Sequence, residues 1–122
     1  MHYNIVQLIM SSLLLILSIV IIKFPPSKIN SSYGFRTNLS MKNSDTWKEG
    51  NKKCAQYLFI GSLILIAQKI IVIIINPSNK AAFTILFIIS LLLVAILSLI
   101  FTNVYLKTIF DSEGKRKNNQ FP

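Results

Sequence analysis

The side chains that could do specific chemistry lie mostly in one polar segment, residues 25–54, which separates long apolar runs. The guanidinium of an arginine in this segment can bind a phosphate through two parallel hydrogen bonds. The aromatic rings around it suit the boundary between lipid and water. Gly34, in the same loop-like stretch, is free to adopt a positive φ, and a turn there would fold Tyr33 and Arg36 back onto the helix face that Trp47 and Asn51 share. The candidate binding residues of the segment are Tyr33, Gly34, Phe35, Arg36, Thr37, Trp47 and Asn51. These residue types indicate binding of a lipid head group or another ligand at a membrane surface.

Lys69 is a further candidate, because it is the one charge well inside an apolar run. A charge at that depth is costly and indicates function by default. Its amine could instead snorkel to the interface, since Lys69 precedes Asn76 by only about two helical turns. An interior role with Gln68 or a ligand is the other interpretation. Arg36 also has a plainer explanation, as a positive-inside arginine within an ordinary aromatic belt.

The sequence contains no catalytic constellation and no metal-ligand pattern. Its single histidine, His2, and single cysteine, Cys54, have no paired spacing that would suit zinc. Asp45 and Glu49 lie one turn apart, but beside lysines at a helix start they indicate a solvated face that matches the helix dipole. Four glycines leave little room for a phosphate-binding loop. We therefore predict no enzymatic activity, no cofactor and no metal.

The apolar runs that flank the polar segment determine the predicted fold class. Hydrophobic residues make up 52% of the chain and charged residues only 14%, too few to cover a water-exposed surface. Alternation with a period of two residues is absent, which argues against a β-barrel. We predict one all-α membrane domain over residues 1–122, with three transmembrane helices and a C-terminal tail. The predicted segments are spans at about 4–24, 55–75 and 81–106, a loop at 25–54 and a tail at 107–122.

An interfacial segment is expected to lead into the second span. The prolines at positions 25 and 26 stop the first helix, because proline lacks an N–H and restricts the residue before it. Ser44 or Thr46 is the predicted N-cap of the next helix, with Thr46 and Glu49 matching a capping box. The composition of residues 76–79 predicts a turn between the second and third spans.

The basic residues predict the orientation. The formal net charge is +9, which could indicate nucleic acid, but the apolar runs favour the positive-inside bias of a membrane protein. Eleven of the thirteen Lys and Arg residues lie in the 25–54 loop, at its edge or in the tail, whereas Lys69 and Lys80 belong to the other side. We therefore predict a multi-pass protein of the bacterial cell membrane, with its N-terminus outside and its loop and C-terminus in the cytoplasm. Membrane lipids are the expected partners, and nucleic acid is not.

The order of residues in the polar segment resembles the signature of the SdpI family of bacterial membrane proteins. That signature has a proline-asparagine lead, a Tyr-Gly-Tyr-Arg-Thr core, and a tryptophan followed by an asparagine four residues later. The matching residues here are Pro25, Pro26, Asn30, Tyr33, Gly34, Phe35, Arg36, Thr37, Ser40, Asn43, Trp47 and Asn51. The chain departs from the signature at Phe35, where tyrosine is usual, and has about three extra residues before the core. The resemblance covers about a third of the chain.

This resemblance implies immunity to a membrane-active peptide. The namesake of the family protects a producing Bacillus cell from its own secreted killing peptide and holds a transcriptional repressor at the membrane. A secreted peptide toxin and a cytoplasmic repressor are therefore the implied partners, and a homo-oligomer is left open. The extra spans of larger members are absent, which favours immunity over signalling. The alternatives are a lipid-handling or transport component that uses Arg36 and Lys69, and an accessory subunit of a larger membrane complex.

Overall fold

Three long helices make up most of the computed structural model, which describes residues 2–117. The helices are α1 (His2–Lys23), α2 (Ser44–Ile75) and α3 (Lys80–Ile109). Each is long and apolar enough to cross a membrane, and the described residues contain no strand, only an isolated bridge between Phe110 and Arg116. The predicted all-α class with three membrane-crossing helices is confirmed. The last five residues of the predicted tail, 118–122, lie outside the described residues.

The middle helix, α2, organises the bundle, because α1 and α3 each pack along it. Small residues let the backbones approach: a Cβ added to Gly61 of α2 would overlap the side chain of Val94 in α3. The buried hydroxyls bond to carbonyls of their own helices, as when Ser11 donates to the Gln7 carbonyl at 2.9 Å. The hydroxyl groups buried within the three helices are thus satisfied without water.

The cap of α2 differs from the prediction. Asn43, rather than Ser44 or Thr46, is the N-cap, and its side-chain oxygen accepts from the N–H groups of Asp45 and Thr46 at 3.0 and 2.9 Å. The Thr46 hydroxyl accepts from the Asn43 N–H at 3.1 Å, so Thr46 is the third helical residue of the capping box. The predicted Thr46–Glu49 box is therefore wrong, because an asparagine with extended backbone three residues earlier already satisfies the free N–H groups.

The connection between α2 and α3 is a tight turn, as its composition indicates. Asn76 ends α2 in the left-handed conformation with φ of 46°, and its N–H donates to the Val72 carbonyl. The Asn79 side chain caps α3 by accepting from the Ala82 N–H at 3.1 Å. α2 and α3 are consequently adjacent along the bundle.

The chain after α3 folds back on itself. The Asp111 N–H donates to the Lys115 carbonyl at 2.9 Å, and the Lys117 N–H donates to the Ile109 carbonyl at 2.9 Å. Gly114 turns this segment with φ of 83°. Phe110 is buried against the end of α3 and the 25–43 loop. The described part of the tail is therefore an ordered hairpin, which we call the tail hairpin (residues 110–117).

Candidate functional site

The candidate site is built on the first two turns of α2, where Trp47 forms its base. The indole is fully buried, and its Nε1–H donates to the Pro26 carbonyl at 2.8 Å. Pro26 lies just beyond α1, so this bond ties the end of α1 to the beginning of α2. A buried tryptophan normally needs such a partner for its N–H.

Asn51 lies one turn further along α2, on the same face as Trp47. Its side-chain oxygen accepts from the Phe35 N–H at 2.7 Å, and its amide nitrogen donates to the Trp47 carbonyl at 2.9 Å. One buried side chain thereby joins the loop backbone to the helix. The neighbouring loop residue is Gly34, with φ of 112°. A Cβ there would lie 2.7 Å from the Asn51 oxygen and 3.0 Å from the Trp47 ring, so only glycine fits.

Phe35 is part of the apolar core and not of an interfacial belt. Its ring is 5% exposed and packs in a cluster with Cys54, Leu106, Ile109 and Phe110. The cluster joins the loop to α2, to the end of α3 and to the tail hairpin.

A small hydroxyl network closes the loop after Phe35. The Ser40 hydroxyl donates to the Phe35 carbonyl at 2.8 Å and accepts from the Thr37 N–H at 2.8 Å. The Thr37 hydroxyl accepts in turn from the Ser40 N–H at 3.2 Å. Ser40 is fully buried, which makes it a positioning residue of the loop that the candidate binding residues did not include.

Arg36 and Tyr33 project away from this scaffold. Tyr33 is 61% exposed, and the guanidinium of Arg36, also exposed, donates to the Ser31 carbonyl. Arg36 borders an open groove of about 440 Å³ between the loop and α3. The groove is lined by Gly34, Phe35, Arg36, Thr37, Leu99, Ile100 and Asn103.

The expected arrangement of the loop is therefore only partly correct. We expected the turn at Gly34 to fold Tyr33 and Arg36 onto the face of Trp47 and Asn51. The structure instead brings Gly34 and Phe35 onto that face and leaves the two other side chains outside. The reason is that Asn51 bonds to a backbone N–H, and a guanidinium is costly to bury without a charged partner.

The tail hairpin holds the opposite side of the α2 start. The Asn43 side chain donates to the Gly114 carbonyl at 2.7 Å, and Arg116 donates to both Asp45 oxygens at 2.7 Å. A third contact joins Arg116 to Glu49 at 3.3 Å. The guanidinium lowers the pKa of the Asp45 carboxyl, and the two carboxylates raise the pKa of Arg116. The sequence carries no signal for these contacts, because the partners are 71 residues apart in the case of Asn43 and Gly114.

Lys69 does not belong to this cluster, since it lies near the other end of α2. Its side chain is buried between α1 and α2, where the amine donates to the Gln7 side-chain oxygen. The amine also lies 5.6 Å from the centre of the Tyr3 ring. Gln68 faces α3 instead and donates to the Ser90 hydroxyl at 3.2 Å. The interior interpretation of Lys69 therefore fits the structure better than snorkelling, although its partner is Gln7 and not Gln68.

The arrangement of the loop provides exposed side chains that a ligand can contact. Within residues 2–117, no group of three His, Cys, Asp or Glu side chains could hold a metal ion. The loop presents an exposed guanidinium and an exposed phenol on a rigid base. These groups can contact a phosphate, a carboxylate or a peptide backbone.

Two comparisons with known proteins found matches. The model of the SdpI/YfhL protein family matches residues 27–102. The uncharacterized protein YfhL of Bacillus subtilis (strain 168) is 31% identical over 110 residues, which cover 88% of this chain and 91% of that protein. No solved structure matches the chain.

Proposed function

Because the chain belongs to the SdpI/YfhL protein family, we propose that it protects a bacterial cell membrane against a membrane-active peptide. The family membership predicted from the signature residues is confirmed. Immunity is our further step, and it uses binding rather than catalysis. The protein would hold the peptide, or shield the peptide's target, at the surface around Arg36.

One observation carries this proposal, namely that the signature residues divide into a scaffold and a presented surface. Trp47, Asn51 and Gly34 form the rigid base, whereas Tyr33 and Arg36 project from it. A scaffold with this many buried hydrogen bonds would be unnecessary if Arg36 served only as a topology signal. The lining of the groove beside Arg36 combines the apolar Leu99 and Ile100 with the polar Asn103, which suits an amphipathic peptide segment.

The test is survival of a sensitive bacterium that expresses the protein and is challenged with a panel of membrane-active peptides. We expect Arg36→Lys to lose nearly as much protection as Arg36→Ala, because lysine lacks the planar, bidentate geometry of the guanidinium. Lys28→Ala, which removes an exposed charge from the same loop, is the matched control and should protect fully. All variants are compared at equal abundance in the membrane. Full protection by Arg36→Ala would remove the loop from the mechanism.

A second candidate function is lipid handling, which the same groove favours. Arg36 and Asn103 could hold a lipid phosphate while Leu99 and Ile100 contact the acyl chain. Lys69 lies near the other end of α2, so this alternative uses Arg36 alone. This alternative predicts that Arg36→Lys weakens the binding of lipid to the purified protein. It also predicts that cells with the variant and cells with the parent protein survive every peptide of the panel equally well.

We propose the same membrane orientation that the basic residues predict, with the 25–43 loop in the cytoplasm. A peptide that has inserted across the bilayer presents one end at this level. A cytoplasmic repressor, a second copy of the chain or a larger membrane complex would reach the loop from the same side.

A further inference from the structure

Lys69 is a buried charge without a counter-ion among the described residues. Its side chain is 2% exposed, and its hydrogen-bond partner, Gln7, is neutral. All four acids of the chain lie at the opposite end of the bundle: Asp45 and Glu49 at the start of α2, Asp111 and Glu113 in the tail hairpin. Glu49 is about 30 Å from Lys69 along the helix. A buried charge normally has a charged partner, and none of the described residues supplies one to Lys69, so an anion bound nearby would stabilise it.

An open cavity of about 460 Å³ lies next to Tyr3, although Lys69 itself does not line it. Tyr3 connects the two, because its ring lies 5.6 Å from the Lys69 amine and also lines the cavity. Lys80 provides a positive charge in the lining itself, and Ile5 and Ile73 form part of an apolar wall. The cavity therefore combines positive charge with a surface suited to hydrocarbon.

The amide of Asn4 marks the polar part of the same cavity. Its side-chain oxygen is buried and has no hydrogen-bond partner among the described residues. A buried acceptor without a partner is unfavourable, and rotation of the Asn4 side chain toward the cavity would let this oxygen accept from a hydroxyl group of a ligand. The Tyr3 hydroxyl and the Asn76 amide are further polar groups in the lining.

We propose that this cavity binds the phosphate group of an anionic phospholipid whose headgroup carries a free hydroxyl, as phosphatidylglycerol does. Lys80 contacts the phosphate directly, and Lys69 acts from behind the Tyr3 ring as a fixed positive charge. The headgroup hydroxyl donates to the Asn4 oxygen, and the acyl chain lies against Ile5 and Ile73. In the orientation proposed above, the site faces the outer leaflet. It does not depend on the proposed immunity function, because it shares no residue with the Arg36 groove.

The experiment uses the full chain in nanodiscs of phosphatidylcholine, with spin-labelled phosphatidylglycerol or spin-labelled phosphatidylcholine as the probe. We expect the protein to immobilise phosphatidylglycerol preferentially. Lys69→Met and Lys80→Gln should each reduce that preference about fivefold, the effect expected of one lysine near an anionic lipid. Lys69→Arg, which keeps the charge, should retain the preference for phosphatidylglycerol. Lys52→Gln removes an exposed lysine near the other end of α2 and should leave the preference unchanged.

Equal immobilisation of the two lipids by the parent protein would overturn the proposal, as would an undiminished preference in both Lys69→Met and Lys80→Gln. If Lys69→Met fails to fold, as judged by circular dichroism, the result for the exposed Lys80 decides alone. Inorganic phosphate separates a lipid site from a site for the free ion. Millimolar phosphate should not displace phosphatidylglycerol, and full displacement would refute the assignment to a lipid.

Discussion

Individual residues of the 25–43 loop have sharply different roles although they are neighbours in sequence. Gly34 and Phe35 lie on the α2 face, where Asn51 accepts from a loop N–H and the Phe35 ring enters the core. Arg36, the next residue, is exposed. The positive φ of Gly34 makes this alternation possible, because it turns the backbone onto the helix just before the aromatic ring.

Gly34→Ala should therefore destabilise the protein. The positive φ alone costs an L-residue about 1–3 kcal/mol, and the added Cβ would also press on the Asn51 oxygen and the Trp47 ring. We expect a lower thermal midpoint of the purified protein in detergent and a lower abundance in the membrane. Ser32→Ala, an exposed change in the same loop, is the control and should behave as the parent. An unchanged midpoint for Gly34→Ala would mean that the loop can leave this face at little cost.

The sequence predicts some of these residue roles and misses others for a physical reason. Trp47 and Asn51 could be placed on one face because their spacing is one helical turn, and the positive φ of Gly34 was expected from its residue type. The N-cap was missed, since Asn43, Ser44 and Thr46 all favour caps and only the backbone conformation decides among them. The burial of Phe35 was missed as well, because its partners Leu106 and Phe110 are distant in sequence.

At the scale of elements, the tail hairpin acts as a second cap for α2. It contributes a carbonyl to Asn43 and a guanidinium to Asp45, so the helix start is held from both the loop and the tail. Asp45 also lies in the first turn, where the helix dipole favours an acid. This contact is exposed to solvent, which makes it sensitive to pH and salt.

The pH dependence of the tail contact has a definite sign. The pKa of Asp45 is lowered in the folded protein, first by its hydrogen bond with Arg116, from the ordinary value of 3.8. The stability that this group contributes is therefore present above about pH 3.8 and is lost as the pH falls through the lowered folded value. Asp45→Asn should lower the free energy of unfolding at pH 7 by less than about 1 kcal/mol, because the pair is exposed.

Thermal midpoints of the parent and of Asp45→Asn, measured at pH 7 and again at pH 3, check this prediction. The difference between the thermal midpoints of the two proteins should be smaller at pH 3 than at pH 7. Ser112→Ala changes an exposed residue of the same hairpin without changing a charge. The difference between its thermal midpoint and that of the parent should therefore be the same at both pH values. If the difference in thermal midpoint between Asp45→Asn and the parent were the same at both pH values, the contact between Asp45 and Arg116 would not contribute to stability as proposed.

The contact between α2 and α3 depends on Gly61. Gly61→Ala should destabilise the bundle by about 1–3 kcal/mol, because the new methyl group would overlap Val94. Val94→Ala removes that overlap, and the double variant should recover most of the thermal midpoint lost by Gly61→Ala. Val94→Ala alone measures the cost of the truncation. If the double variant were less stable than either single variant, close packing at this point would not be what limits the contact.

The helices themselves were predictable where the tail hairpin was not. Long uncharged runs can satisfy their backbone hydrogen bonds in lipid only as helices, so composition and length suffice to identify three of them. The hairpin rests on contacts such as Asp45 with Arg116, 71 residues apart, for which the local sequence carries no periodic signal.

At the scale of the whole molecule, the charged groups are segregated between the two ends of the bundle. Eleven of the thirteen basic residues, together with all four acids, belong to the end that carries the 25–43 loop and the tail. Lys69 and Lys80 belong to the other end. The positive-inside rule therefore predicts that the 25–43 loop and the tail lie in the cytoplasm.

A reporter enzyme that is active only outside the cytoplasm, fused after Pro122, should be silent. The same reporter inserted between Asn76 and Asn79 should be active, because that turn joins α2 to α3 at the opposite end. Strong activity of the C-terminal fusion would reverse the orientation and would place the Arg36 groove outside the cell.

The bond between Asn43 and Gly114 also constrains the order in which the protein can be assembled. During synthesis the 25–43 loop and the start of α2 leave the ribosome first, but the Phe35 ring has no complete pocket until α3 and Phe110 follow. The Asn43 side chain cannot donate to its acceptor, the Gly114 carbonyl, until the chain has been synthesised 71 residues further. A nascent chain interrupted in the second half of α3 would thus contain every signature residue and still lack the surface they form.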